Sequence, residues 1–219
     1  MTDNFKQMYA YMKDLGIVQD SDQALKTDLF FDVQLIRRGK DHPDLPSANY
    51  TFKTYYIDNL NSFERQYDEM KKCCEMFGLR AYISVNAKSK REAAAKTLER
   101  YAHNNAMGEF RKPWKDFSSV CGSLDGKEKR WVVDCDNTDE YSDYTLEICR
   151  IICNCDSGVK DPLVACIPTK SGVHILTHPF NLKQFNDLCE YNEIEKPDIK
   201  KNHITLLYEN LEKYGKDSD

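Results

Sequence analysis

The stretch "LVACIPTKSGVHILT", residues 163–177, holds two apolar runs separated by Thr169, Lys170, Ser171 and Gly172. Short apolar runs bounded by turn residues read as strands, and two of them joined by a glycine-containing segment read as a β-hairpin. A hairpin commits the chain to antiparallel pairing and argues against an all-parallel, doubly wound sheet. Working outward, "RWVVDCD" (130–136) and "HITLLYE" (203–209) read as strands, and "YTLEICRIICN" (144–154) and "NLKQFNDLCEYN" (181–192) as helices. Upstream, "LFFDVQLIRR" (29–38) and "YTFKTYYIDN" (50–59) read as an antiparallel strand pair with the loop "HPDLPS" between them.

The helix over 62–78 takes Ser62 as its expected N-cap and Gly78 as its stop; "RAYISVNAK" (80–88) is a strand, and Ser89 caps a helix over 89–106. The first 25 or so residues read as helical, from Phe5, Met8, Met12 and Leu15 at helical spacing before Gly16. "MGEFRKPWKDFSSVCGSLDGKEK" (107–129) reads as a loop-rich connector with a short helix. The sum is an α+β domain with a mixed, largely antiparallel sheet core and packed helices. Glycine motifs of the Rossmann or P-loop kind are absent.

Composition narrows the class. The chain has 219 residues, 41% hydrophobic and 31% charged, which is ordinary for one soluble globular domain. No run approaches the roughly 18 apolar residues of a membrane span, and the N-terminal stretch lacks the basic and apolar regions of a signal peptide. Nine cysteines, several inside apolar runs (Cys135, Cys166), fit reduced thiols and a cytoplasmic location. The net charge of −5 argues against non-specific coating of nucleic acid, but charge is uneven. Residues 86–130 carry eleven Lys/Arg against six Asp/Glu, a local +5, and residues 137–162 carry six acids against two bases, a local −4. Such a basic segment is either a phosphate footprint or a solvated helix face.

On a strand over 130–136, Val132, Asp134 and Asp136 share one face, and Trp131, Val133 and Cys135 the other. Two neighbouring carboxylates repel unless a cation sits between them, and hard oxygen ligands suit Mg²⁺ or Mn²⁺. The bland alternative is a strand ending in a solvated acidic turn. In the hairpin, Lys170, Ser171 and the N–H groups around Gly172 could make a phosphate nest, with His174 two residues on. Asp198, in "PDIKKNHITLLYE", is an isolated acid that could complete a two-metal cage or simply sit in a loop.

Together, "VVDCD", "TKSGVH" and "PDI" resemble the three signature elements of the archaeo-eukaryotic primase (primase-polymerase) superfamily, in the order found in compact members from phages and plasmids. The run "DIKKN" also resembles the third element of bacterial repair primase-polymerases. The resemblance covers mainly residues 130–208. It implies a primase-polymerase-like domain over 1–219: an N-terminal α/β lobe (1–79), a catalytic-core-like region (80–208) with an RRM-like C-terminal half, and a polar tail (209–219). It implies that Asp134, Asp136 and Asp198 bind Mg²⁺ or Mn²⁺, and that Lys170, Ser171, Gly172 and His174 hold the phosphates of an incoming nucleoside triphosphate. Nucleotides would then be added to a 3′-hydroxyl on single-stranded or primed nucleic acid, in replication of a phage or mobile element, with no membrane partner.

Further candidates are Arg80 and Asn86, which with Tyr82 and Ser84 make one face of their strand unusually polar, as in a nucleotide or template cleft or under a polar loop. Trp114 and Phe117 could stack bases or be buried beneath the connector. Cys149, Cys153 and Cys155 could hold zinc, but their helical spacing beside Ile148 and Ile152 favours core packing. Competing readings are a non-catalytic nucleotide- or nucleic-acid-binding accessory or inhibitor of the same fold, and a metal-dependent nuclease.

Overall fold

In a computed structural model that describes residues 1–42 and 49–210, the chain begins with β1 (Thr2–Asp3), α1 (Phe5–Asp14) and the short α2 (Ser21–Ala24). It continues through β2 (Leu29–Arg37), a 3₁₀ turn at Gly39–Asp41, β3 (Tyr50–Ile57), α3 (Leu60–Phe77), β4 (Arg80–Ser84) and β5 (Lys88–Ser89). Two helices follow, α4 (Lys90–Ala106) and α5 (Pro113–Ser123). The remainder is β6 (Trp131–Asp136), α6 (Asp143–Cys153), β7 (Leu163–Pro168), β8 (Gly172–Thr177), α7 (Leu182–Tyr191), β9 (Asp198–Lys200) and β10 (Ile204–Glu209). Most of the expected "HPDLPS" loop and of the polar tail lies outside the described residues.

These elements form two sheets, and every strand pair in them is antiparallel. The first has the order β1-β10-β4-β2-β3, with β5 against the start of β2. The second has the order β7-β8-β6-β9. Residues 131–200 therefore run β-α-β-β-α-β with the first strand, β6, between the third and the fourth, the split βαβ arrangement shared by ferredoxin-like and RRM domains. The expected boundary at 79/80 does not coincide with a sheet boundary. β4 is an inner strand of the first sheet, and β10 returns from the C-terminal end to lie between β1 and β4.

Local chemistry explains the helix boundaries. Ser89 caps α4 by accepting the Glu92 N–H at 3.1 Å, as its position before a helical run predicts. For α3 the cap is Asn59, whose Oδ1 accepts the Ser62 N–H at 2.8 Å, three residues ahead of the expected Ser62 start. Gly78, at φ 60°, ends α3 in the left-handed conformation. The connector holds the eleven-residue α5, opened by Pro113 at its first turn, where a missing N–H costs nothing.

Strand alternation divides the burial on the second sheet. Val133, Cys135, Val173 and Ile175 face α6 and α7 and pack with Ile148, Ile152, Phe185 and Cys189. On the opposite face Val132, Ile167 and Leu176 join the core of the first sheet, with Ile83, Leu207, Met8 and Phe63. One continuous apolar layer thus welds the two sheets, and burial of these side chains contributes roughly 1.5–3 kcal/mol each. All nine cysteines are free thiols. Cys149, Cys153 and Cys155 are half-buried, exposed and buried in turn, and Cys155 donates to the Ile151 carbonyl. No helix among the described residues is long and apolar enough to cross a membrane.

Candidate functional site

Along β6 the face turned toward the first sheet changes from Val132, sealed in the core, to Asp134 at the mouth of a cleft and Asp136 exposed at its rim. The neighbouring strands complete the set by register. Asp134 lies opposite His174 on β8 and opposite Asp198 on β9, while Lys200 lies opposite Val132. Residues directly opposite in an antiparallel pair, and residues two apart on one strand, project to the same side. Asp134, Asp136, Asp198, His174 and Lys200 therefore share one face of the sheet.

Asp134 is the centre of the polar contacts. Its Oδ1 is 3.2 Å from His174 Nε2, and its Oδ2 accepts from Lys200 Nζ at 2.5 Å. A carboxylate only accepts, so Nε2 carries the proton; in the neutral ring Nδ1 then accepts from the Thr205 hydroxyl, 2.9 Å away. Thr205 is fully buried on β10, so the first sheet fixes the ring orientation of a histidine on the second. The His174 hydrogen bond holds the Asp134 carboxyl well below the usual carboxylate range, against the opposing effect of burial and with help from Lys200.

The glycine of the S-G-x-H element has a steric reason. A Cβ on Gly172 would stand 2.1 Å from the Cys135 carbonyl oxygen and 3.0 Å from the Asp136 Cα. Only hydrogen at that position lets β8 close on β6 beside the aspartates. The turn before it is tied down by the Thr169 N–H to the Gly172 carbonyl at 2.8 Å and by the Asn137 N–H to the Ser171 carbonyl at 2.6 Å. Lys170 and Ser171 stand exposed at its tip.

The cleft between the sheets has a volume of about 450 Å³ and is lined by Arg38, Lys40, Arg80, Lys170 and Lys200 against Asp134 and Asp136. Arg80 is buried, paired with Asp41 at 2.5 Å and with Glu209 at 3.7 Å, so its charge is compensated within the wall. Lys170 Nζ is 3.4 Å from the same Asp41 oxygen. Burial works against ionisation of Asp41, but the Arg80 and Lys170 cations keep its carboxyl below the ordinary range. Arg38 donates to the Tyr82 hydroxyl at 3.1 Å and lies over the Tyr82 ring, while its buried Nε has no hydrogen-bond partner among the described residues. His203 also lines the cleft; burial, then the Lys200 charge, lowers its pKa to about 4.

Asp136 and Asp198 are exposed and make no ion pair among the described residues. They flank Asp134 along a second recess of about 470 Å³ shared with Tyr144 and Glu195. Hard oxygen donors on one sheet face are the right chemistry for Mg²⁺ or Mn²⁺, and two of the three carboxylates are free to take one. Lys200 Nζ holds the third, and among the described residues no three His, Cys, Asp or Glu side chains already converge as a ligand set. The residues fit a divalent ion in kind, with the Lys200 ammonium standing where such an ion would compete for Asp134.

Asn86 is placed elsewhere. Its Oδ1 accepts the Arg130 N–H at 2.7 Å and its Nδ2 donates to the Arg130 carbonyl at 3.2 Å, a buried peg between β4 and the start of β6 that does not line the cleft. Tyr82 shares the cleft wall with Arg80, whereas Ser84 accepts the Asp32 N–H in the interior. Phe117 packs in a small core with Phe30, Val120 and Leu124, whereas Trp114 is 61% exposed. Sequence reading missed Arg38, His203 and Thr205. The parity of β2 puts Arg38 on the side of Gln34, but only the pairing of Gln34 with Tyr82 shows that this side meets the cleft. The chain matches no protein-family model, no curated protein sequence and no solved structure.

Proposed function

We propose that the cleft binds a nucleoside triphosphate and that the chain transfers its nucleotidyl unit to a nucleic-acid 3′-hydroxyl, as a metal-dependent enzyme of primase-polymerase type. The observation that carries this reading is the register of β9, β6 and β8. It sets Asp134, Asp136, Asp198 and His174 on one face, with Asp134, Asp136 and His174 at the mouth of a cleft lined by cations and Asp198 in the adjoining recess. A triphosphate needs several cationic or N–H donors around its oxygens, and Lys40, Lys170, Arg38 and the Ser171–Gly172 turn offer them. His174 stands where acids and cations meet, and its Nε2–H donates either to Asp134 or to a phosphate oxygen. Asp134, Asp136 and Asp198 would hold Mg²⁺ or Mn²⁺, which when bound neutralises charge on the transferred phosphoryl group. Tyr82, buried beneath Arg38, fixes that guanidinium at the cleft wall, where it can meet a phosphate.

The test is incorporation of labelled dNTPs and NTPs on primed and unprimed single strands with Mg²⁺ or Mn²⁺, beside an Asp134→Ala/Asp136→Ala variant. Incorporation by the wild type alone supports the reading; none by either folded protein overturns it. A second reading, nucleotide binding without turnover, is favoured by one observation: Lys200 already neutralises Asp134. It predicts triphosphate binding that is indifferent to added divalent ions.

A further inference from the structure

The paired helices α4 and α5 project a cationic, aromatic tip that the cleft does not use. Their base is anchored: Ala93, Val120, Cys121 and Leu124 pack around Phe30, and the buried Asp116 accepts from Asn104 Nδ2 at 2.9 Å with Arg100 3.6 Å away. Gly108, at φ 79°, ends α4, and the Glu109 N–H returns to the Asn104 carbonyl at 2.8 Å, so the tip has a defined shape. On it Phe110 is 83% exposed and Trp114 61%, with Met107 beside them at 69%. Lys115 Nζ lies 5.8 Å from the centre of the Trp114 ring. Arg111 and Lys112 lie between the two aromatic residues, and the local acid, Glu109, is already paired with Arg111 at 2.6 Å.

Single exposed apolar side chains are ordinary, but Met107, Phe110 and Trp114 fall within eight consecutive residues and make a patch. Charge then decides the occupant. Residues 107–115 hold Arg111, Lys112 and Lys115 against Glu109 alone, a local +2 on a chain whose net charge is −5. Exposed rings alternating with cations match unpaired bases, which stack, and the phosphates between them. A protein partner would instead call for an apolar centre with its charges at the rim.

We propose that the α4–α5 tip binds single-stranded nucleic acid, with Phe110 and Trp114 stacking on bases and Lys112 and Lys115 meeting phosphates. As the strand on which a transferase would act, this rests on the function proposed above; as binding, it stands alone. The test is anisotropy of a labelled 20-mer oligo(dT) or oligo(U) (about 20 nucleotides exceeds one single-strand site) with the full chain and no nucleotide present. Quenching would be read on a Trp131→Phe background, in which Trp114 is the remaining tryptophan of two. Expected are quenching of Trp114, at least about tenfold weaker binding for Phe110→Ala/Trp114→Ala, and a flatter salt dependence for Lys112→Glu/Lys115→Glu. Melting temperatures should not move, because these side chains are exposed. Equal binding by wild type and variants without quenching overturns the proposal. So does a wild-type dimer that the aromatic variant converts to monomer without altered oligonucleotide affinity. Oligonucleotide binding is read without nucleotide or metal and incorporation with both, so failure of the transferase reading and failure of this one give different results.

Discussion

Replacing Lys200 by methionine separates the roles of the acids from that of their counter-cation. In the wild type a divalent ion reaching Asp134 must displace an ammonium hydrogen-bonded at 2.5 Å and then share the carboxylate's surroundings with it. Two unit charges about 4 Å apart interact by about 1 kcal/mol even at the dielectric of water. An ammonium and a divalent ion at that spacing therefore repel by about 2 kcal/mol, or roughly thirtyfold in Kd. Lys200→Met removes that repulsion and keeps the aliphatic length. The same substitution leaves Asp134 with His174 alone, and loss of a partly exposed ion pair should cost up to about 1 kcal/mol of folding stability. The two readouts thus move in opposite directions: the variant melts lower and binds Mn²⁺ tighter. Free Mn²⁺ counted by electron paramagnetic resonance in a titration measures the affinity, with Asp134→Asn as the control that should lose it. If Lys200→Met binds Mn²⁺ no tighter than wild type, Lys200 is not competing with an ion at Asp134, and the metal reading loses its structural support.

Three further outcomes follow from the geometry. Gly172→Ala must push β8 away from β6 at Asp136 or shift its register; overpacking of this kind should cost about 2 kcal/mol in urea unfolding, and triphosphate binding should weaken with it. Asn86→Ala strands the buried N–H and carbonyl of Arg130 and should cost roughly 3 kcal/mol, yet leave the Kd for a triphosphate unchanged if the residue is the structural peg described. His203, with a folded pKa of about 4 against 6.5 unfolded, stays neutral in the native state while the unfolded chain takes up its proton. Stability should therefore fall as pH drops from about 6.5 to about 4 and level off below, by about 2 kcal/mol after allowance for partial exposure, and His203→Gln should flatten that slope in urea titrations.

What could be read in the sequence was what neighbouring residues decide. The alternation in "RWVVDCD" separated Val133 and Cys135 from Asp134 and Asp136, because a strand's period of two is local geometry; that the helices cover the first pair is a fact of the fold. The hairpin at 163–177 and the Ser89 cap were legible for the same reason. The first sheet was not: nothing near Arg80 or Ile204 tells β4 that it will lie between β10 and β2.

The clearest case is β9. Asp, Lys and Pro are poor strand formers, and "EKPDIKK" reads as a loop, yet Asp198–Lys200 pairs with β6. Three residues cannot hold a strand by propensity. The segment is held by its backbone bonds to β6 and by one side chain, Ile199, packed against the α6–α7 core. With Ile199 turned inward, alternation leaves Asp198 and Lys200 no choice but the cleft face. The third carboxylate and the cation that opposes it are thus positioned by the same apolar residue. With the His174 hydrogen bond, which does most, a cation built into the site by the fold that assembles its acids keeps Asp134 ionised and partnered, which spares the chain a bare carboxylate cluster in its folded state.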